Sequence, residues 1–389
     1  MKRRICIFTG TRAEYGLLKP LIDELKIEDS VELQLIISGM HLSPEFGMTV
    51  NEISLDGIRK VEKVEILLSS DTPVGTSKAM GLGMISFTEA LERLKPDLLI
   101  GLGDRFELFA VVSAALVAKI PVAHIHGGEL TYGAYDESLR HAITKMSHIH
   151  FTATEEYSRR VIQLGENPKT VFNVGALGLD NIRKMKLLSL KELETSILFK
   201  LDEPFFVVTF HPVTLERNSS EQQMKELLAA LDEFIDYKII FTKPNADNDG
   251  RIIIKLIDNY VKKNLKRAVA FESLGQLRYL SALKYAELMI GNSSSGIIEM
   301  PFFKKSTINI GDRQKGRIFS NSVIQCGAKK NEIVEAVKKG LDQEFRKSFR
   351  NEINIYGRGN TARKIKSILL RTDFSNLLKK EFYDLEIKR

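Results

Sequence analysis

The stretch RICIFTGTRAEYG, residues 4–16, sets the reading of the whole chain. Ile5 to Phe8 form a short β-rich apolar run, Gly10 breaks it, and a helical apolar pattern follows. Strand, glycine loop and helix in that order open a Rossmann-like unit, where a nucleotide is usually held. The loop is nevertheless not G-x-G-x-x-G, and it carries an arginine and a glutamate. Two readings of Gly10-Thr11-Arg12 fit: a tight turn with a surface arginine, or a loop that lets an anion approach, with Arg12 aimed at it.

The same alternation recurs along the chain. Strand-like runs RICIF, VELQLIIS, DLLIGLG, VAHIH, IHFTAT and VFNVG are each followed by a helical pattern, and FFVVTF, YKIIFT, AVAFE, ELMIGN and STINIG form a second series. Strands alternating with helices imply parallel, doubly wound α/β sheets. The series breaks near residues 176–203, and 389 residues exceed what one core usually supports. The expected architecture is two Rossmann-like doubly wound domains facing each other across a cleft, 1–178 and 179–356.

Composition removes other classes. No apolar stretch reaches the ~20 residues of a membrane span. The longest, Leu108 to Ala118, reads as a buried helix. The basic-then-apolar start MKRRICIF has too short an apolar part for a signal peptide, and no cleavage pattern follows. Cys6 and Cys326 read as thiols in a reducing cytoplasm. The net charge of +7 is spread along helices that also carry acids. That pattern excludes a nucleic-acid stripe and suits an anionic small substrate.

In doubly wound sheets ligands bind at the carboxyl ends of the strands, so the residues after each strand are the candidates. After DLLIGLG stand Asp104 and Arg105. Asp104 suits a helix N-terminus, whereas an arginine there needs an anionic partner from protein or ligand. Glu129 and Asp136 lie seven residues apart across a loop, and paired carboxylates serve acid/base chemistry; Asp136 also suits an N-cap. HIH at 124–126 and 148–150 has zinc-like spacing, but the two pairs fall on neighbouring strands without a nearby cysteine, so no metal is expected. His211 ends the second half's first strand. Ser293 and Ser294 open a helix suited to a phosphate, with Glu299 about two turns in. Arg313 follows STINIG.

Taken in order, GTRAEYG, GDRFE, HIHGGE, DESLRHAITK, TFHP, NADNDG, GNSSSGIIE and NIGDRQKGR closely resemble the motif series of the hydrolysing UDP-N-acetylglucosamine 2-epimerases, from about residue 3 to about residue 365. The resemblance implies the glycosyltransferase B architecture, with residues from about 357 to 389 packing back on the first domain. It also implies a homodimer or homotetramer and neither metal nor cofactor. The implied reaction eliminates UDP from UDP-N-acetylglucosamine to give 2-acetamidoglucal, which is hydrated to N-acetylmannosamine.

Carried over by position, Arg12 and His211 would meet the diphosphate, and Ser293 and Ser294 would cradle it. Glu299 would take the ribose hydroxyls, and Asn245 would lie at the nucleotide's edge. Arg105 and Arg313 would support the phosphates or the uracil side, and Asp104, Glu129 and Asp136 would serve the sugar. Non-hydrolysing relatives place Glu within H-x-E-A-G. Here the run is His124-Ile125-His126-Gly127-Gly128 followed by Glu129, which favours the hydrolysing branch. The same chemistry on UDP- or GDP-2,4-diacetamido-2,4,6-trideoxyglucose is the alternative. A glycosyltransferase and a non-catalytic nucleotide-sugar sensor are the remaining rivals.

Overall fold

The computed structural model describes residues 2–68, 72–132, 135–212, 220–244 and 250–386. The chain divides into two compact units. Unit 1 comprises Met1–Glu129, Tyr135–Asn181 and Tyr356–Arg389, and unit 2 comprises Leu130–Ala134 and Ile182–Ile355.

Unit 1 runs β1 (Arg3–Thr9), α1 (Arg12–Lys26), β2 (Val31–Ser38), α2 (Val50–Ser54), β3 (Lys60–Val64), α3 (Pro73–Leu94), β4 (Leu98–Leu102), α4 (Phe106–Val117), β5 (Val122–Ile125), α5 (Asp136–Met146), β6 (Ile149–Thr152), α6 (Glu155–Gln163) and β7 (Val171–Asn173). Helix α7 (Gly178–Lys184) leads out of it. Unit 2 continues with α8 (Leu190–Ile197), β8 (Phe205–Thr209), α9 (Ser220–Leu231), β9 (Lys238–Thr242), α10 (Gly250–Lys263), β10 (Ala268–Phe271), α11 (Gly275–Tyr285), β11 (Leu288–Gly291), α12 (Ser295–Ile298), β12 (Ser306–Ile310), β13 (Val323–Cys326), α13 (Lys330–Leu341) and α14 (Gln343–Ser348). Helix α15 (Thr361–Arg371) returns to unit 1.

The sheet of unit 1 has the order β3-β2-β1-β4-β5-β6-β7, and that of unit 2 the order β10-β9-β8-β11-β12-β13, with every pairing parallel. Parallel strands are covered on both faces and so read as continuous apolar runs. In β1, Ile5 and Ile7 pack on one face with α1 and α15 residues such as Leu18, Leu21 and Ile365, while Cys6 and Phe8 pack on the other with Phe87 and Leu108. Unit 2 has its own core around Phe206, Val208, Ile239, Ile290 and Ile308. Both cysteines are free, Cys6 buried and Cys326 half-buried.

Two expectations change. The run Leu108–Ala118 is buried only in its first two turns, and Val117 at its end is 77% exposed. Two further strands, β3 and β13, lie at sheet edges with mixed polar sequences KVEKV and VIQC. No helix among the described residues is long and apolar enough to cross a membrane. The strand order reverses between β1 and β4 in unit 1 and between β8 and β11 in unit 2, which puts the loops after those strands at the topological switch points.

Candidate functional site

At the switch point of unit 1, Thr11 caps α1 and the Glu14 carboxylate reaches back to the backbone N–H groups of Gly10 and Thr11, at 2.8 and 3.1 Å. This capping box follows from T-x-x-E at residues 11–14. It occupies the N–H groups that the sequence offered to an anion. Arg12 lies at the surface, 51% exposed, with its Nε 3.6 Å from Glu52.

Arg105 finds its anions within the protein. It donates to both oxygens of the buried Glu107 at 3.1 Å and lies 4.0 Å from Glu14. Burial raises the Glu14 carboxyl to about 7, Arg105 works against that rise, and the charge of Glu107 adds to it. Arg105 itself is the N-cap residue of α4, without a side-chain cap. Asp104 takes a charge-assisted bond from Arg140, one turn after Asp136 on α5. Asp136 is the first residue of α5 and Tyr135 is its N-cap, so the N-cap reading of Asp136 is replaced. Burial first, and then the neighbouring Asp104 charge, raise the Asp136 carboxyl to about 6, with Arg105 and Arg140 opposing. Asp104, Arg105, Asp136 and Arg140 therefore form one electrostatic cluster.

Beside this cluster, Arg140 also donates to the His126 carbonyl at 2.8 Å, and His126 Nδ1 lies 2.8 Å from Glu129 Oε1. His124 bridges the Gly103 carbonyl (2.7 Å) and the Thr144 hydroxyl (3.0 Å), tying the end of β4 to α5. Burial pushes the His124 imidazole down to about 3, so it is neutral there. The other H-x-H pair is also engaged: His148 Nδ1 accepts from the Val122 N–H at 3.2 Å, and His150 lies 2.9 Å from Glu166. Among the described residues no group of three or more His, Cys, Asp or Glu could hold a metal ion.

At the switch point of unit 2, His211 and Asn292 hold each other. The His211 N–H donates to Asn292 Oδ1 at 2.7 Å, and Asn292 Nδ2 donates to the His211 carbonyl at 2.8 Å. The Asn292 carbonyl accepts from Arg313 at 3.0 Å and from Gln314 at 2.9 Å. Burial, and then the charge of Arg313, push the His211 imidazole down to about 3, so its ring is neutral in this state. Gly291, at φ +138, lets β11 pass close to β8: a Cβ there would sit 1.9 Å from the Thr209 carbonyl oxygen.

Helix α12 is a single turn, so Glu299 is its C-cap residue and not two turns in. Pro301 ends it, because proline supplies no N–H to continue the ladder. Ser293 and Ser294 sit in the turn before α12, where the Ser293 hydroxyl accepts from the Ser295 N–H at 3.4 Å. Asn245 lies outside the described residues. Sequence reasoning missed four supports: Glu14, Glu107, Arg140 and Asn292. The capping-box spacing signals Glu14, and the i,i+4 relation to Asp136 signals Arg140. Glu107 and Asn292 give no comparable local signal.

A family model described as UDP-N-acetylglucosamine 2-epimerase matches residues 23–370. The chain belongs to that family. It is 44% identical over 99% of its length, and 100% of the relative's, to the "GDP/UDP-N,N'-diacetylbacillosamine 2-epimerase (hydrolyzing)" of Campylobacter jejuni. It is 39% identical over 98% of both chains to the Escherichia coli "Polysialic acid biosynthesis protein P7". With the Legionella pneumophila "UDP-N,N'-diacetylbacillosamine 2-epimerase (hydrolyzing)" it shares 35% identity over 95% of this chain and 96% of that one. This epimerase family member is accordingly an enzyme of the hydrolysing 2-epimerase type. Its fold matches the solved Neisseria meningitidis UDP-GlcNAc 2-epimerase bound to UDP-GlcNAc, with a TM-score of 0.82 and 21% identity over 95% of this chain and 100% of that one. The epimerase therefore has the two-domain, Rossmann-like glycosyltransferase B type of fold.

Proposed function

We propose that this enzyme acts on N,N′-diacetylbacillosamine (2,4-diacetamido-2,4,6-trideoxyglucose) linked to UDP or GDP, releasing the nucleotide and the free sugar inverted at C2. The observation that carries the reading is the full-length 44% identity to the Campylobacter jejuni enzyme named for that activity. UDP-N-acetylglucosamine, the first expectation from the motifs, becomes the second reading. A Neisseria meningitidis relative of that name is 32% identical over 87% of this chain.

The reaction is an elimination followed by a hydration. The C2 proton is weakly acidic, so cleavage of the C1–O bond must run ahead of its removal. The developing charge on the departing diphosphate then needs fixed donors, usually the largest single catalytic contribution. In unit 2 this role falls to the neutral His211 held by Asn292, to Arg313, and to Ser293 and Ser294; Glu299 takes ribose hydroxyls, and Asn245 meets the nucleotide's edge. In unit 1, Asp104, Glu129 and Asp136 serve the sugar, with Arg140 fixing Asp104 and the His126 carbonyl. Arg105, engaged by Glu107, keeps the strand end electrostatically defined, and Arg12 is available from the surface to a phosphate. The product suits sialic- or legionaminic-acid-type sugar synthesis in the cytoplasm.

Proton NMR in deuterated water tests this with UDP- and GDP-N,N′-diacetylbacillosamine and UDP-N-acetylglucosamine in parallel. Free sugar inverted and deuterated at C2 from a diacetamido substrate is the expected result. Turnover of UDP-N-acetylglucosamine alone would install the second reading. Binding without release of sugar from any of the three would refute both.

A further inference from the structure

His126 stands just past β5 with φ +68, a left-handed backbone that a residue with a bulky ring seldom adopts. Such strain persists only where the surroundings over-determine it, and it clusters at functional sites. Here its N–H donates to the Phe151 carbonyl at 2.8 Å and its carbonyl accepts from Arg140 at 2.8 Å. The residue two further on, Gly128 at φ +78, packs so closely on Tyr157 that a Cβ would lie 2.4 Å from its carbonyl oxygen. The ring is 9% exposed and its Nδ1 lies 2.8 Å from Oε1 of Glu129, itself 2% exposed. Its Nε2 is buried without a hydrogen-bond partner among the described residues.

His150, with Glu166 at 2.9 Å from Nε2, and His141 also leave a buried Nδ1 unmet among the described residues, but they lie within β6 and α5, whereas His126 stands past the carboxyl end of β5. His124 has Thr144 on one nitrogen and Gly103 on the other, and His41 has Thr49 and Thr9. An unmet buried polar atom costs stability, so each one calls for a reason. His126 is in addition strained, braced from both sides of its backbone, with Glu129 Oε1 2.8 Å from one nitrogen in ion-pair rather than hydrogen-bond geometry and the other nitrogen unmet among the described residues. A carboxylate beside the far nitrogen of a base favours the imidazolium that proton abstraction creates, as general-base catalysis requires.

We propose that His126 is a catalytic residue of the reaction assigned above, on which this inference rests: the base that takes the C2 proton, with Glu129 holding the imidazolium that results. In the elimination the C2–H bond breaks and an Nε2–H bond forms. The C–H electron pair becomes the C1=C2 bond, and the C1–O bond breaks with its pair leaving on the nucleotide's terminal phosphate oxygen. Nothing is oxidised or reduced. In the hydration water adds its oxygen to C1, and an acid on the opposite face of the ring protonates C2. Return of the proton from Nε2 would restore the original configuration, so that acid comes from the Asp104–Asp136 cluster and recovers its proton from the added water. The imidazolium gives its proton to solvent before the next turnover.

His126→Gly is the decisive variant, because glycine adopts φ +68 without strain and leaves a ring-sized space. A thermal melt and unchanged UDP or GDP affinity confirm the fold. Two rates are then compared with wild type: turnover of UDP- or GDP-N,N′-diacetylbacillosamine, and hydration of the supplied 2,4-diacetamido glycal. The expected result is a loss of about 100-fold or more in the first, with the second within about fivefold, the size of a small electrostatic change. Added imidazoles should restore the first in order of their basicity. Equal losses in both rates, or no loss in either, would overturn the assignment and leave His126 a structural residue. If wild type itself turns over no nucleotide sugar, the assigned reaction falls and this inference with it; an active wild type with an equally active variant removes His126 alone.

Discussion

The C-terminal segment bears on the candidate site through one side chain, Lys380. Its ammonium donates to both oxygens of Glu166 at 3.0 Å and to the carbonyls of Lys145 and Ser147, the last at 2.8 Å. Those carbonyls end α5, the helix that carries Asp136 and Arg140, and carbonyls at a helix end have no partner within the helix. Glu166 is fully buried and also meets Lys145 at 2.7 Å and His150 at 2.9 Å. Burial alone would raise its carboxyl; His150, Lys145 and Lys380 more than reverse this and hold it at about 2.

The fall from 4.5 to about 2 corresponds to about 3 kcal/mol of stability at neutral pH. His150 and then Lys145 lower the Glu166 carboxyl more than Lys380 does, burial pulls the Lys380 ammonium below its usual range, and solvent reaches both lysines, so the share of Lys380 is about 1 kcal/mol. Replacing Lys380 by Met should therefore lower the melting temperature of unit 1 by roughly 2–4 °C in calorimetry. The sign with pH follows from a depressed carboxyl: the stabilisation is fully present above about pH 4.5 and is lost as pH falls towards 2. The gap between wild type and Lys380→Met should accordingly be constant from pH 5 to 8 and close between pH 4.5 and 2. A melting temperature within 1 °C of wild type at neutral pH, or a gap that does not close in acid, would refute the reasoning.

Four further outcomes are expected. Glu129→Gln and Asp136→Asn should each lower turnover by about 100-fold or more. The wild-type rate of glycal hydration should fall as pH rises through about 6, where Asp136 loses its proton, and Asp136→Asn should lack that limb; an unchanged profile removes Asp136 as the acid. Asn292→Ala deletes both bonds to the His211 backbone at roughly 1 kcal/mol each. Nucleotide affinity measured calorimetrically should then fall by about tenfold or more, and equal affinity would mean that His211 needs no such support. Activity should survive exhaustive chelation; a loss that zinc restores would end the metal-free reading.

Much of the fold is written locally in the sequence. Ile5–Phe8, Leu35–Ile37 and Phe205–Val208 are continuous apolar runs because parallel strands are buried on both faces, and the helices between them carry their own period. Strand ends can therefore be found in one dimension, and with them Asp104, Glu129, Asp136, His211 and Ser293 as candidates. The edge strands β3 and β13 escape that reading, since β3 mixes valines with charges and β13 is only four residues long, so that pairing is what makes them strands.

Tertiary structure decided which candidates share an environment. Arg140 meets Asp104 across 36 residues and Asn292 meets His211 across 81. Such pairs depend on which strands the sheet makes neighbours, and no local pattern encodes that. The same holds for Glu14, which the sequence marks as half of a capping box. Only the packing of β1 against β4 sets it 4.0 Å from Arg105 and beside Glu107, where burial brings its carboxyl to about 7. The sequence by itself determined the residues that can carry the chemistry; the fold determined which of them are neutral, which are paired, and that His126 has one nitrogen left unmet among the described residues. Burial and charge at a distance set those properties, and both exist only once the chain has closed its sheets.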